Sequence, residues 1–365
     1  MTEKNGQRIE AIDLFRGLAI AGMILVNTPG SWAKVYPVLQ HAGWHGISGA
    51  DLVFPFFLFI SGSSAFFSLR KYDHTFSLEL FRKIALRVSI IFAAGIFLNA
   101  FPFREPLSEL RIMGVLQRIA LAWGIAAVFC LILSRRALFI TSAGILLAYW
   151  ALLAAGGDFS LRGNLVRAVD LRILGKSHLW MGKGIPFDPE GLLSTLPAAV
   201  TVITGYLAGS FMAAGKRVFR GLMLAGVLSA AAGLAWSSVY PANKYLWTGS
   251  YLLITSGMAS ALLAVIYLIS EEKRRGKFLF PLKVFGRNPL VLYMLSSLWV
   301  QTAVHLVRFR DQEGRAVTAY GWFYREVMLP LAGDMFGSLL FALVHLALFW
   351  LILYPLYRKR VFLRI

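Results

Sequence analysis

Charged side chains are scarce in this chain. They make up 15% of its 365 residues, against 58% hydrophobic ones, whereas a soluble domain carries about 25% charge. That shortage, with apolar runs recurring from end to end, excludes one large soluble core and indicates a polytopic membrane protein. Cysteine is almost absent. Cys130 stands alone inside an apolar run, so no internal disulfide can form and the thiol reads as a small buried hydrophobe. There is no G-x-x-x-x-G-K-[ST] loop, which argues against ATP-driven transport by this chain. There is no H-E-x-x-H and no cysteine partner for a histidine, so no metal is expected. Internal repeats and low-complexity tracts are missing too.

Acidic residues are the other shortage. Lys and Arg number 37 against 18 Asp and Glu, a formal net charge of +19. An excess of that kind can signal nucleic acid. Here the basic residues sit in short loops between apolar segments, where they act as topology determinants. The expected partner is the lipid bilayer, and no nucleic acid.

Ten stretches come close to the roughly 20 residues that cross a hydrocarbon core: 12–29, 50–69, 84–103, 112–133, 137–155, 191–214, 218–239, 246–270, 288–307 and 335–357. The first holds Asp13 and Arg16 and lacks an A-x-A-like site, so it reads as a retained helix and not a signal peptide. The N-terminus, 70–83, 134–136, 215–220, 271–287 and the tail are strongly basic. The alternate set (30–51, 104–111, 156–190, 240–245 and 308–334) is near charge balance. The positive-inside rule then puts both termini in the cytoplasm. The expected fold is an all-α polytopic membrane protein, a bundle of about ten transmembrane helices in a single domain over 1–365. Outer loops 156–190 and 308–334 are long and are expected to cover part of a site. Within the second, 320–333 is aromatic and too short to span, which predicts an interfacial or partly re-entrant piece.

The outer face thereby receives "QHAGWHG" (40–46). His41 and His45 admit three readings: a metal pair at i, i+4 spacing, interfacial polar residues, or acid–base or nucleophilic catalysis by one imidazole. Gly43 and Gly46 weigh against the helix that the first reading needs. Asp51, at the head of span 2, either serves the helix dipole or orients an imidazole. Asn27 opens "NTPG", a helix stop whose side-chain amide is also suited to holding an oxyanion. Arg118 lies inside span 4, where arginine is costly. It is a functional group or the structural partner of a carboxylate such as Asp51, Asp188 or Glu190. Asp188 and Glu190, in "FDPEG", suit a helix N-terminus or the recognition of an amine or sugar hydroxyls. Asn243, Lys244 and Trp247 are interface anchors or a sugar-binding set of polar hooks and an aromatic platform. On the inner side, the basic run 271–277 and Arg287 are topology signals attractive to a phosphate-rich ligand. Asn288 and Tyr293 of span 9 are further candidates.

The blocks "RIEAIDLFRGLAIAGMILVN", "HAGWHGISGADLVFPFFLFISGSS", "RIMGVLQR", "FDPEGLLSTLPA", "NKYLWTGSY" and "LYRKRVFLRI" resemble, over essentially the whole chain, the heparan-alpha-glucosaminide N-acetyltransferase family. The segments 41–62 and 187–193 carry the resemblance most specifically. It implies a ten-helix acyltransferase that moves acetyl from cytosolic acetyl-CoA, as donor co-substrate, to the amino group of a terminal glucosamine across the membrane. It implies His41 as the active-site histidine and Asn27 as the catalytic asparagine; Asp51 or Arg118 is expected to organise the polar cluster around them. His45 stands where the family block has asparagine, and the loop between Asn27 and His41 is slightly longer. The resulting expectation is a transferase of a bacterial inner membrane with an amino-sugar or oligosaccharide acceptor. His41 is its acetyl acceptor or general base. Asp188, Glu190, Asn243, Lys244, Trp247, His45 and Arg118 are expected at the sugar, and Arg287 and Asn288 at the CoA. A homodimer stays open. The alternative is an amino-sugar or oligosaccharide permease with the same polar residues lining a path.

Overall fold

The structure is a computed structural model and describes residues 9–311 and 313–362. The predicted placement of the two termini rests partly on 1–8 and 363–365, which lie outside the described residues. Helices occupy all ten predicted spans: α1 (Glu10–Asn27), α2 (Val53–Leu69), α3 (Leu78–Ala100), α4 (Val115–Ile132), α5 (Arg135–Ala155), α7 (Thr195–Ala214), α8 (Val218–Trp236), α9 (Gly249–Tyr267), α11 (Pro289–His305) and α14 (Asp334–Arg358). Seven of them are long and apolar enough to cross a membrane: α2, α4, α5, α7, α8, α9 and α14. Of the others, α1 carries Glu10, Asp13 and Arg16, α3 carries four charges in its first half, and α11 has 17 residues. The chain is an all-α integral membrane protein.

Loop chemistry sets several helix ends. Ser134 accepts the Ala137 N–H at the start of α5, and Thr248 accepts the Tyr251 N–H at the start of α9, as N-caps do. Between these, α7 packs on both α2 and α4, while α8 lies along α9. Glycine brings two of these pairs to backbone contact. A Cβ at Gly62 of α2 would stand 1.9 Å from Val202 O of α7, and one at Gly205 would stand 1.8 Å from Phe59 O. Gly226 and Gly257 do the same for α8 and α9.

The segments between the spans hold more structure than their composition announces. The basic stretch 271–287 includes α10 (Phe280–Arg287), which packs against α1. The long loop 156–190 contains α6 (Leu165–Ile173). In 308–334, β1 (Arg308–Arg310) pairs antiparallel with β2 (Ala316–Thr318). Short helices α12 (Ala319–Trp322) and α13 (Leu329–Ala332) follow, joined by a π-helical stretch. This aromatic piece folds back on the bundle. The Tyr320 hydroxyl donates to Pro29 O at 2.6 Å, and Phe341 of α14 packs among Tyr320, Phe323 and Tyr324.

Candidate active site

His41 and His45 lie in irregular backbone before α2, so the helix needed for an i, i+4 metal pair is absent. Their rings go to different partners. His41 Nδ1 is 2.8 Å from Asp51 Oδ1. Asp51 is fully buried, and its Oδ2 accepts from the backbone N–H of Ala42, the backbone N–H of Ser48 and the Ser48 hydroxyl, each at 3.0 Å. Tyr251 of α9 donates to the Asp51 carbonyl at 2.5 Å. An ionised carboxylate can only accept, so the proton of a neutral His41 sits on Nδ1 and Nε2 keeps its lone pair. Lys244 sits against the same ring, with Nζ 3.1 Å from Nδ1, 3.3 Å from Nε2 and 3.6 Å from Asp51 Oδ1. Burial lowers the Lys244 pKa, and Asp51 and Glu190 offset part of that.

His45 turns to Asn243, whose Nδ2 lies 3.3 Å from its Nδ1, and burial lowers its pKa. Asn243 is itself buried, its Oδ1 holding the Leu246 N–H at 2.9 Å. Trp247 differs from the predicted platform. It is fully buried, donates Nε1–H to Thr201 Oγ1 at 3.1 Å and packs edge-on to Phe54 and Tyr251. The aromatic character at this mouth comes instead from Trp44, which is half-buried. It stacks on Tyr245 at 5.3 Å and 8°, with Lys183 Nζ 4.5 Å from the Tyr245 ring centroid.

Asp188 and Glu190 meet a cation that sequence reasoning missed. Arg111 Nε and Nη2 donate to Asp188 at 2.8 and 2.7 Å, and Nη2 reaches Glu190 at 2.6 Å. Burial opposes the Arg111 charge, but the two carboxylates outweigh it and raise its pKa. The carboxylates offered above as partners for Arg118 are thus taken, Asp51 by His41 and the other two by Arg111. Arg118 is fully buried. It donates to Gly191 O at 3.1 Å and to the Ser194 hydroxyl, and its guanidinium lies 5.2 Å from the Trp247 ring centroid.

Two cavities complete the picture. The larger, about 2160 Å³, opens at the basic end of the bundle and is lined by Arg16, Arg70, Lys71, Arg274, Lys277, Lys283 and Arg287 among others. Arg287 also pairs with Asp13 at 3.1 Å. Asn288 does not line this cavity. It is buried, with Nδ2 donating to Val361 O at 3.0 Å. The smaller cavity, about 330 Å³, is lined by Asn27, Thr28, Ser296, Ser297, Gln301 and His305. Met23 and Tyr293 line both. Asn27 is exposed at the end of α1, and the turn 50–52 that carries Asp51 packs against that helix. Among the described residues, no group of three His, Cys, Asp or Glu side chains is placed to hold a metal ion.

The family described as heparan-alpha-glucosaminide N-acetyltransferase, catalytic, matches residues 8–227. The chain belongs to this family. The heparan-alpha-glucosaminide N-acetyltransferase of Homo sapiens is 26% identical over 424 residues, covering 98% of this chain and 60% of that protein. That of Mus musculus is 25% identical over 427 residues, covering 99% of this chain and 61% of that protein. The chain therefore spans about three-fifths of the length of these relatives.

The region matched to the N-acetyltransferase family contains Asn27, His41, Asp51, Arg111, Arg118, Asp188 and Glu190, whereas Asn243, Lys244 and Trp247 lie beyond it. One signal for Arg111 was present in the sequence. Two acids two residues apart in "FDPEG" need a cation if they are buried, and Arg111 precedes span 4 on the same face. Lys183 and Asp170 had no such signal, because each acquires its meaning from a loop folding back.

Proposed function

We propose that this chain is a transmembrane N-acetyltransferase of a bacterial inner membrane, with ten spans and both termini in the cytoplasm. It takes acetyl from acetyl-CoA at the basic, cytoplasmic end and delivers it to the amino group of a terminal glucosamine-type sugar at the His41 end. What carries this reading is the His41–Asp51 pair, which leaves a basic Nε2 on a partly exposed imidazole at the mouth of the bundle.

In a ternary complex the sugar nitrogen attacks the thioester carbonyl. His41 Nε2 takes the nitrogen's proton, the C–S bond breaks, and the proton goes to the departing CoA thiolate. In the two-step route Nε2 attacks first, CoA leaves, and the sugar amine then takes acetyl from the imidazole. Asn27 holds the developing oxyanion, and such a donor is worth about 10²–10³ in rate. The donor side fits in size and charge. CoA phosphates need cations in fixed positions, and the larger cavity supplies them. The thin pantetheine arm needs a way toward Asn27, and the two cavities adjoin at Met23 and Tyr293. That same junction would serve a permease, which is the second reading.

The test uses purified protein in liposomes with radiolabelled acetyl-CoA and glucosamine, repeated with His41→Ala. Label appearing on glucosamine and vanishing in the variant supports the transferase. A folded His41→Ala protein that keeps full transfer removes His41 from the chemistry. Glucosamine uptake with no acetyl-CoA binding supports the permease.

A further inference from the structure

The site already contains an amine. Lys244 Nζ lies 3.1 Å from His41 Nδ1 and 3.3 Å from the free Nε2, the latter just beyond the roughly 2.6–3.2 Å over which a base takes a proton. Asp51 Oδ1 is farther away, at 3.6 Å, and is already engaged with His41. The lysine therefore packs more closely against the imidazole than against the carboxylate that would be its ordinary ion-pair partner.

Its backbone is pinned on both sides. The Asn243 N–H is bound by Thr248 Oγ1 at 2.9 Å, Asn243 Oδ1 holds the Leu246 N–H, and the Lys244 carbonyl accepts from Trp247 at 3.2 Å. The side chain is 13% exposed. A nucleophile held this way beside a reacting centre has an effective concentration far above that of a free amine. Burial also favours its uncharged form, the one that attacks.

We propose that Lys244 is a self-acetylation site: when no sugar amine fills the mouth, the chain transfers acetyl to Lys244 Nζ. This rests on the acetyl-CoA reading given above. The neutral Nζ attacks the thioester carbonyl carbon. A C–N bond forms and the C–S bond breaks. His41 Nε2 accepts the proton from the nitrogen and passes it to the CoA thiolate. If acetyl resides first on His41, CoA has already left as the thiolate; Nζ then attacks the acetyl carbon, the C–Nε2 bond breaks, and the proton from the nitrogen goes by way of Nε2 to the CoA thiolate. Either way the product is an uncharged amide, and the site loses a cation that touches both His41 and Asp51.

Purified full-length protein is incubated with acetyl-CoA and no sugar, then digested and examined by site-resolved mass spectrometry. Lys216 and Lys273 are exposed and report simple chemical acetylation, which favours exposed amines. Lys244 is expected to gain acetyl at least about tenfold faster than either, a modest figure beside measured effective molarities. Added glucosamine slows it, and His41→Ala abolishes it. Production of acetylglucosamine is measured on the same preparation. Acetylated glucosamine with Lys244 no faster than Lys216 and Lys273 overturns this proposal and leaves the transferase standing. Acetyl on neither glucosamine nor Lys244 overturns both. The wild-type comparison decides the matter even if His41→Ala does not fold.

Discussion

Asp51 grips His41 at Nδ1, 2.8 Å away, and so decides which ring nitrogen keeps its lone pair. Replacing Asp51 with Asn keeps the shape but offers an amide that can donate as well as accept, so the imidazole is free to present the wrong tautomer. Under the transferase reading, Asp51→Asn lowers kcat by about 10²–10⁴, the usual worth of general base catalysis. On the same reading KM for acetyl-CoA stays unchanged, because the donor would enter from the opposite end. A folded variant with wild-type kcat would remove the orienting role.

Arg111 neutralises two acids at once, of which Asp188 is wholly buried. Arg111→Ala removes the ion-pair partner of both and is expected to cost about 3–5 kcal/mol, the price of breaking a buried pair from one side. Arg111→Lys recovers only part of it, since an ammonium does not reproduce the two-pronged contact with Asp188. Thermal unfolding in detergent reads the order wild type, Lys, Ala.

The α2–α7 contact predicts a sharp contrast between glycines. Gly62→Ala and Gly205→Ala each drive a methyl to within 2 Å of a carbonyl oxygen on the other helix, and folded protein should be lost. Gly144→Ala in α5 meets nothing within 4 Å. It should instead stabilise by about 0.5–1 kcal/mol through helix propensity. Monodisperse yield and melting temperature of the three variants check this.

Asp170 supplies a pH dependence. It is fully buried on α6, with Oδ1 accepting the Leu192 N–H at 2.9 Å and Oδ2 without a hydrogen bond. Burial, reinforced by Asp188, pushes its pKa up to about 7, against about 3.9 in an unfolded chain. Between those values the folded protein holds a proton that the unfolded chain has released. Its contribution is therefore full below about pH 4 and is lost as pH rises through 7. Asp170→Asn should flatten that decline in melting temperature, and an unchanged slope would refute the assignment.

At the basic end, Arg274 and Lys277 line the larger cavity. If they contact the CoA phosphates, Arg274→Ala and Lys277→Ala each raise KM for acetyl-CoA about tenfold with kcat unchanged, the signature of lost uniform binding. Equal loss of kcat would place them in the reaction instead.

The helices were legible because each is a local pattern. An apolar run such as 246–270 announces itself within its own length, and α9 appears there. The meeting of His41 with Asp51 was within reach for a related reason, since the two are ten residues apart at one helix mouth. Arg111 with Asp188, and Lys244 with His41, are separated by 77 and 203 residues, and no local pattern encodes such pairs. Trp247 misled in an instructive way. Tryptophan beside lysine at a span entrance is the composition of an interface anchor, but here the indole lies against Arg118 and the rim is left to Trp44. The helix in 271–287 was hidden because it is short and its apolar face packs on α1; in 308–334 the aromatic piece was expected, but not the β1–β2 pair before it.

Arg118 also constrains how the bundle is put together. It leaves the ribosome on α4, yet its contacts come from 191–194 and from Trp247, the last emerging more than a hundred residues later. Until both arrive, the Arg118 guanidinium in the first turn of α4 is without these contacts, and an unpaired arginine on a spanning helix is costly. Arg118 therefore acquires its full set of contacts only once the chain around 247 has been made, so an early and a late part of the chain meet at this one side chain.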